Sequence, residues 1–148
     1  EYNCRLGDPE TQPLLMRLRS DLVELCEAAL DRRLHEVRAD WDSRPALGVV
    51  MTAAGYPGRY RQGDVIEGLP ERGEPWGDDV KLFHAGTLEN EEGQVVTHGG
   101  RVLCATALGN TVAEAQNRAY NLVKRVCWDG VYYRTDIGYR AIARERGE

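Results

Sequence analysis

Apolar and polar residues alternate over the first positions of the chain. Tyr2, Cys4 and Leu6 fall on one side of an extended backbone and Glu1, Asn3 and Arg5 on the other, which predicts the end of a strand. Gly7-Asp8-Pro9 predicts a turn. The period then becomes helical. Thr11 can cap a short helix with Pro13 in its first turn and Leu14, Leu15 and Leu18 as its stripe. Ser20 predicts the cap of a second helix reaching roughly to Leu34, with Leu22, Leu25, Cys26, Ala29 and Leu30 at helical spacing. Both helices are expected to pack on the sheet that carries the opening strand. Residues 35–45 are charged and irregular and mark a boundary, with Trp41 expected to anchor the linker.

Beyond residue 45 the apolar runs are short and separated by turn residues. Strands are predicted at 46–51, 80–84, 95–97 and 102–108, with an acidic hairpin tip at 89–93 and a turn at His98-Gly99-Gly100. The loop over 53–63 contains Gly55-Tyr56-Pro57-Gly58, read first as a tight turn and second as a site where backbone comes close to something else, and 67–79 reads as a surface loop. Thr111-Val112-Ala113-Glu114 is a capping box. It predicts a helix over 112–126 whose buried stripe is Ala115, Ala119, Leu122, Val123 and Val126. Trp128, Tyr132 and Tyr133 are expected to close the sheet, and 144–148 to fray. The fold class is α+β: a strand with two helices over residues 1–38, then a small antiparallel β domain with one packed helix over 46–148.

Composition narrows the function classes. A chain of 148 residues with 42% apolar content suits one domain, or a small domain plus part of another. The net charge of −5 argues against nucleic acid or an anionic membrane surface as partner. No apolar run approaches the ~20 residues of a membrane span. Cys4, Cys26, Cys104 and Cys127 lie too far apart to read as a zinc site. Cys26 and Cys104 fall on apolar faces and are expected in the core, and buried free thiols point to the cytoplasm. The chain has no initiator Met and no signal-peptide pattern, and it opens in mid-strand, as expected of a piece of a longer polypeptide.

The candidate chemistry begins with the opening row. Glu1, Asn3 and Arg5 would project from one face at intervals of about 6–7 Å. Glu and Asn oxygens are hard ligands suited to Mg²⁺. Arg is shaped to hold a phosphate or a developing oxyanion. Asp8 follows the turn and is either a substrate ligand or an Asp bonded to its own turn. Gly99-Gly100-Arg101 combines exposed backbone N–H groups with a fixed charge, a pattern that suits a phosphate or an ordinary Gly-Gly hairpin. His84 at a strand end reads as structural. Taken alone, Glu-x-Asn-x-Arg also fits the wet face of an ordinary edge strand.

The longer string Glu-Tyr-Asn-Cys-Arg-Leu-Gly-Asp-Pro-Glu-Thr-Gln-Pro closely resembles the metal-site strand of the glycinamide ribonucleotide synthetases (phosphoribosylamine–glycine ligases), ATP-grasp enzymes of purine synthesis. Further blocks resemble the same family in the same order: Gly55-Tyr56-Pro57-Gly58, Phe83-His84-Ala85-Gly86-Thr87, Gly99-Gly100-Arg101-Val102-Leu103-Cys104, Thr106-Ala107-Leu108-Gly109 and Asp136-Ile137-Gly138. The resemblance spans essentially the whole chain, but only the C-terminal third of such an enzyme. It implies residues 1–38 as the end of an ATP-grasp domain. It implies Glu1 and Asn3 as ligands of Mg²⁺ or Mn²⁺, and ATP as co-substrate. Arg5 would stabilise the transferring phosphoryl group or acyl phosphate. Asp8, Gly99, Gly100 and Arg101 would contact substrate.

The reaction so implied joins glycine to 5-phosphoribosylamine through a glycyl phosphate, with the rest of the same enzyme as partner and the whole expected to be a monomer. Leu6, Ala54, Arg59 and His98 depart from the family pattern, and His98 matters most because it adjoins the proposed phosphate loop. No Gly-rich loop, adenine pocket or phosphate-binding lysine is identified, so the chain alone is expected to lack ligase activity. A non-catalytic binding module and another ATP-grasp carboxylate–amine ligase are the alternatives.

Overall fold

A computed structural model describes residues 5–71 and 74–148. The expected opening strand, with Glu1 and Asn3, lies outside them. The chain then forms α1 (Thr11–Arg17) and α2 (Leu22–Leu30), followed after a 3-10 turn by β1 (Ala46–Thr52), β2 (Val80–His84), β3 (Thr87–Glu89), β4 (Val95–Thr97), β5 (Arg101–Leu108), α3 (Val112–Val123) and α4 (Tyr139–Glu145). The class is a mix of helices and antiparallel sheets. β1, β5 and β2 form a three-stranded sheet in that order, and β3 and β4 form a separate hairpin.

The register sorts the side chains. Leu47, Val49 and Met51 of β1 lie opposite Ala107, Ala105 and Leu103 of β5, and Leu82 of β2 pairs with Ala105. All are buried and face α3, whose Ala115, Ala119, Leu122 and Val123 are also buried. Small alanines let the helix lie close to the sheet. Gly109 serves the same approach, since a Cβ there would stand 2.3 Å from the Ala115 nitrogen. On the opposite face, Gly48 lies among Cys104, Thr106 and Pro13, so α1 finds its partner in β1 and β5.

Thr111 caps α3 as read, accepting from the Glu114 N–H at 3.1 Å, while the Glu114 side chain reaches one residue further back than a capping box requires and accepts from the Asn110 N–H at 2.7 Å. A second cap was not foreseen. Glu145 of α4 accepts from the Val112 N–H at 2.9 Å, so Arg144 and Glu145, expected to fray, instead end a helix that closes the start of α3. Asp21, rather than Ser20, caps α2 through the Val23 N–H. Ser20 instead accepts from the Asp40 N–H at 2.7 Å. α2 stops at Leu30, short of the expected end, and Cys26 is exposed, because the apolar side of α2 has no cover among the described residues. Cys104 is buried as read.

The linker is anchored by the buried Asp42 side chain, and Trp41 contributes a backbone bridge to Leu18 rather than a buried ring. Trp41 is exposed, while Asp42 is 5% exposed. Asp42 accepts from Arg19 at 3.0 Å and Arg44 at 2.8 Å. Arg44 continues to Asp79 at 2.8 Å, and Asp79 to Arg118 at 2.7 Å. Arg118 in turn pairs with Glu114 at 2.7 Å. The chain of charges ties the segment after α1 to the start of α3. Hydrogen bonds from Arg44 and Arg19 hold the Asp42 carboxyl far below the usual carboxylate range, against the opposing effect of burial. Desolvation raises the Asp79 pKa, but bonds from Arg118 and Arg44 together overcome it.

Two outcomes follow from this packing. Gly109→Ala must displace α3 from the sheet, and chemical denaturation should report a loss of about 1–3 kcal/mol. Asp42→Asn should lower Tm by roughly 5 °C near neutral pH. The folded carboxyl pKa is depressed, so its stabilisation is present above the unfolded value of ~4 and fades as pH falls below it. The Tm difference between Asp42→Asn and the unsubstituted chain should therefore shrink from about pH 5 to about pH 2; a constant difference would contradict the ion-pair account.

Candidate functional site

A cleft of about 720 Å³ opens on the α1 side of β1. That volume lies within the usual range of small-molecule sites. Its floor is Gly48, Val50 and Thr52, the face of β1 turned away from α3. One wall is the turn after β1. Gly55 there takes φ +90, and a Cβ would stand 2.2 Å from the Arg59 carbonyl oxygen, so only glycine fits the bend that presents Tyr56 and Pro57. The facing wall is the segment 132–137. It is joined to β1 by a pair of bonds: Thr52 N–H to the Tyr132 oxygen at 2.8 Å, and Tyr132 N–H to the Thr52 oxygen at 3.1 Å.

Arg101 enters the cleft from the start of β5, where the β1–β5 register shifts between Met51 and Thr52. Such an irregularity re-aims a side chain. The Arg101 Nε lies 3.1 Å from the Asp8 carboxylate, and its Nη1 donates to the Asp8 carbonyl oxygen at 3.2 Å. Two residues picked separately from the sequence are thus brought together, although both side chains stay exposed. Pro9, next to Asp8, also lines the cleft.

Gly99 and Gly100 adjoin Arg101, and packing supplies a reason for each. A Cβ on Gly99 would stand 2.9 Å from the Gly86 Cα, and one on Gly100 would stand 2.3 Å from the Tyr56 ring. Arg5 is exposed at the end of the segment leading to Asp8, and its guanidinium donates to the Leu6 carbonyl oxygen at 3.4 Å. Glu1 and Asn3 lie outside the described residues. His98 is exposed, and its N–H bonds the Gly86 carbonyl oxygen at 2.8 Å. His84 lines a different cleft of about 770 Å³ with Trp76, Lys81 and Glu89. Its Nδ1 lies 3.1 Å from the Thr87 hydroxyl, consistent with a structural role.

The cleft lining also includes Tyr132 and Arg134, which sequence reasoning did not single out for a site, and Tyr56 and Asp136, which lie in the Gly55–Gly58 loop and the Asp136–Gly138 block that it noted without assigning them a role. Two aromatic residues followed by an Arg and an Asp form a noticeable string, but nothing in their spacing shows which strand they lie against.

The model of the family "Phosphoribosylglycinamide synthetase, C domain" matches residues 46–140. The chain is 61% identical over 149 aligned residues to phosphoribosylamine–glycine ligase of Vibrio vulnificus, covering 99% of this chain and 33% of that protein. It is 62% identical to the Vibrio cholerae ligase, covering 100% of this chain and 34% of the relative. Among solved structures, the phosphoribosylamine–glycine ligase of Thermotoga maritima matches with a TM-score of 0.67 at 36% identity, over 92% of this chain and 32% of that one. The chain spans about one third of the length of the curated relatives it matches. With a match over most of its length, the chain belongs to the phosphoribosylglycinamide synthetase C-domain family.

Proposed function

We propose that this chain supplies part of the active site of an ATP-dependent ligase that joins glycine to 5-phosphoribosylamine. The observation that carries the reading is the Asp8–Arg101 pair. It couples the turn after the opening row to the start of β5, at the mouth of a cleft of small-molecule size. In this reading residues 1–38 complete an ATP-grasp domain and 46–148 form the small domain beside it. The reaction is read as phosphorylation of the glycine carboxylate by ATP, followed by attack of the amine with loss of phosphate. Such chemistry depends on positioning and on neutralising negative charge.

The residues divide the work. Glu1 and Asn3 offer hard oxygen donors, the kind that Mg²⁺ or Mn²⁺ takes, and fit a metal by their chemistry. A bound metal would neutralise charge on the polyphosphate. Arg5 holds the transferring phosphoryl group or the acyl phosphate oxygens by charge-assisted hydrogen bonds. Arg101 takes the 5-phosphate of phosphoribosylamine at the cleft, assisted by the backbone of Gly99 and Gly100. Asp8 holds Arg101 in place until substrate arrives and then faces the amine.

The remaining two thirds of such an enzyme is the partner. α2 leaves Leu22, Val23 and Leu30 exposed, Leu30 at 84%, which suits a surface covered by more of the same polypeptide. We place the activity in the cytoplasm, where exposed thiols such as Cys26 and Cys127 stay reduced.

The experiment replaces the matching third of the Vibrio vulnificus ligase with this chain and assays ADP release with ATP, glycine and phosphoribosylamine. The chimera should turn over, and the 148-residue chain alone should not. In the chimera, Arg101→Ala should raise the KM for phosphoribosylamine at least about tenfold and leave the KM for ATP near its starting value. Glu1→Ala or Asn3→Ala should lower activity roughly 10- to 100-fold. Unchanged KM in the first variant, or near-normal turnover at saturating Mg²⁺ in the others, would refute the respective role.

A further inference from the structure

The segment 132–138 carries two charged side chains that the reading above does not use. Its backbone is pinned from behind by α3. The Tyr120 hydroxyl donates to the Arg134 carbonyl oxygen at 2.7 Å and accepts from the Ile137 N–H at 3.1 Å. The Gln116 side-chain amide donates to the Ile137 carbonyl oxygen at 2.6 Å. The segment is fastened to β1 at Tyr132, and Gly138 at φ +87 turns it into α4 where a Cβ would stand 2.5 Å from Leu47.

On this fixed platform stand Arg134 and Asp136, both lining the cleft. They pair with each other at 2.9 Å and 2.6 Å, yet remain 63% and 49% exposed. An exposed pair adds little to stability. A pair two residues apart also joins no two elements of the fold, so stability does not account for so rigid a mounting.

The geometry of the pair leaves binding capacity free. Its two bonds use Nε and Nη2 of Arg134, leaving the Nη1 donors. Each carboxylate oxygen of Asp136 keeps a further lone pair. A donor and an acceptor side by side match a vicinal diol, in which each hydroxyl both gives and takes a hydrogen bond. A carboxylate on ribose hydroxyls is a recurrent device in nucleotide sites. Tyr56 and Pro57 add apolar surface for the sugar ring, and Arg101 shares the cleft.

We propose that Arg134 and Asp136 hold the ribose 2,3-diol of a sugar phosphate whose phosphate lies toward Arg101. The inference rests on the proposed phosphoribosylamine site and deepens it. Arg134 keeps the Asp136 carboxyl below the usual range, so the acceptor stays ionised throughout the neutral range.

The test reads binding without turnover. Calorimetry on the full-length chimera compares ribose 5-phosphate with 2-deoxyribose 5-phosphate. The unmodified protein should prefer the former roughly 10- to 100-fold. Asp136→Asn should cut that preference to within about threefold by weakening ribose 5-phosphate more than the deoxy sugar, and Arg134→Gln should do the same independently. A merely structural role would weaken both sugars alike. Equal binding by the unmodified protein, or a preference kept in both variants, would overturn the proposal. So would variants that alter discrimination between ATP and 2′-deoxy-ATP instead, since the diol held would then be the nucleotide's. Failure of the parent reading shows separately, as absent turnover or an unmoved KM in Arg101→Ala.

Discussion

β5 lies between β1 and β2, and seven of its eight residues are buried. A strand covered on both faces and paired on both edges cannot slip in register, because a shift of one residue would exchange its two faces. Its α3 side carries Leu103, Ala105 and Ala107 against the helix; its other side carries Cys104 and Thr106 near α1. The exposed residue is Arg101. The most constrained strand of the fold therefore ends in a guanidinium at the rim of the cleft, and rigid support of that kind is what a positioned charge needs.

The second support is electrostatic. The run Arg19–Asp42–Arg44–Asp79–Arg118–Glu114 joins the end of the helical segment to the loop before β2 and to α3. Removing one member would leave a neighbour's charge without a partner, which costs more than the net value of a pair. Arg17 and Arg19 bind Asp42 from the chain that follows Asp8, so the same run steadies the approach of Asp8 to Arg101.

The elements that declare themselves in the sequence are those in which local pattern and burial agree. β2 runs over the residues expected, and α3 begins at its capping box; both place apolar residues at a regular period against a real core. The parts that stay hidden depend on distant partners. The last two residues of α4, Arg144 and Glu145, read as part of a fraying charged end until Glu145 meets the open N–H of Val112, 33 residues away in sequence. Trp41 draws attention as the large apolar residue of the linker, but the buried anchor is Asp42, whose carboxylate depends on Arg19 before it and Arg44 after it, the latter shared with Asp79 of the loop before β2. In the site, Asp8 and Arg101 were legible one by one as polar residues beside turns. Their pairing across 93 positions was not. The placing of Arg134 and Asp136 in the cleft wall was hidden for the same reason, since the Thr52–Tyr132 bridge and the packing of Gly138 on Leu47 bring that segment to β1.

The central claim is that the cleft beside Asp8 and Arg101 receives a ribose phosphate. Crystals of the full-length chimera soaked with ribose 5-phosphate test it most directly. The account predicts phosphate density within hydrogen-bonding distance of Arg101 and sugar density toward Arg134 and Asp136. Density for the ligand elsewhere in a protein that still binds it, with the Asp8–Arg101 pair undisturbed, would contradict it.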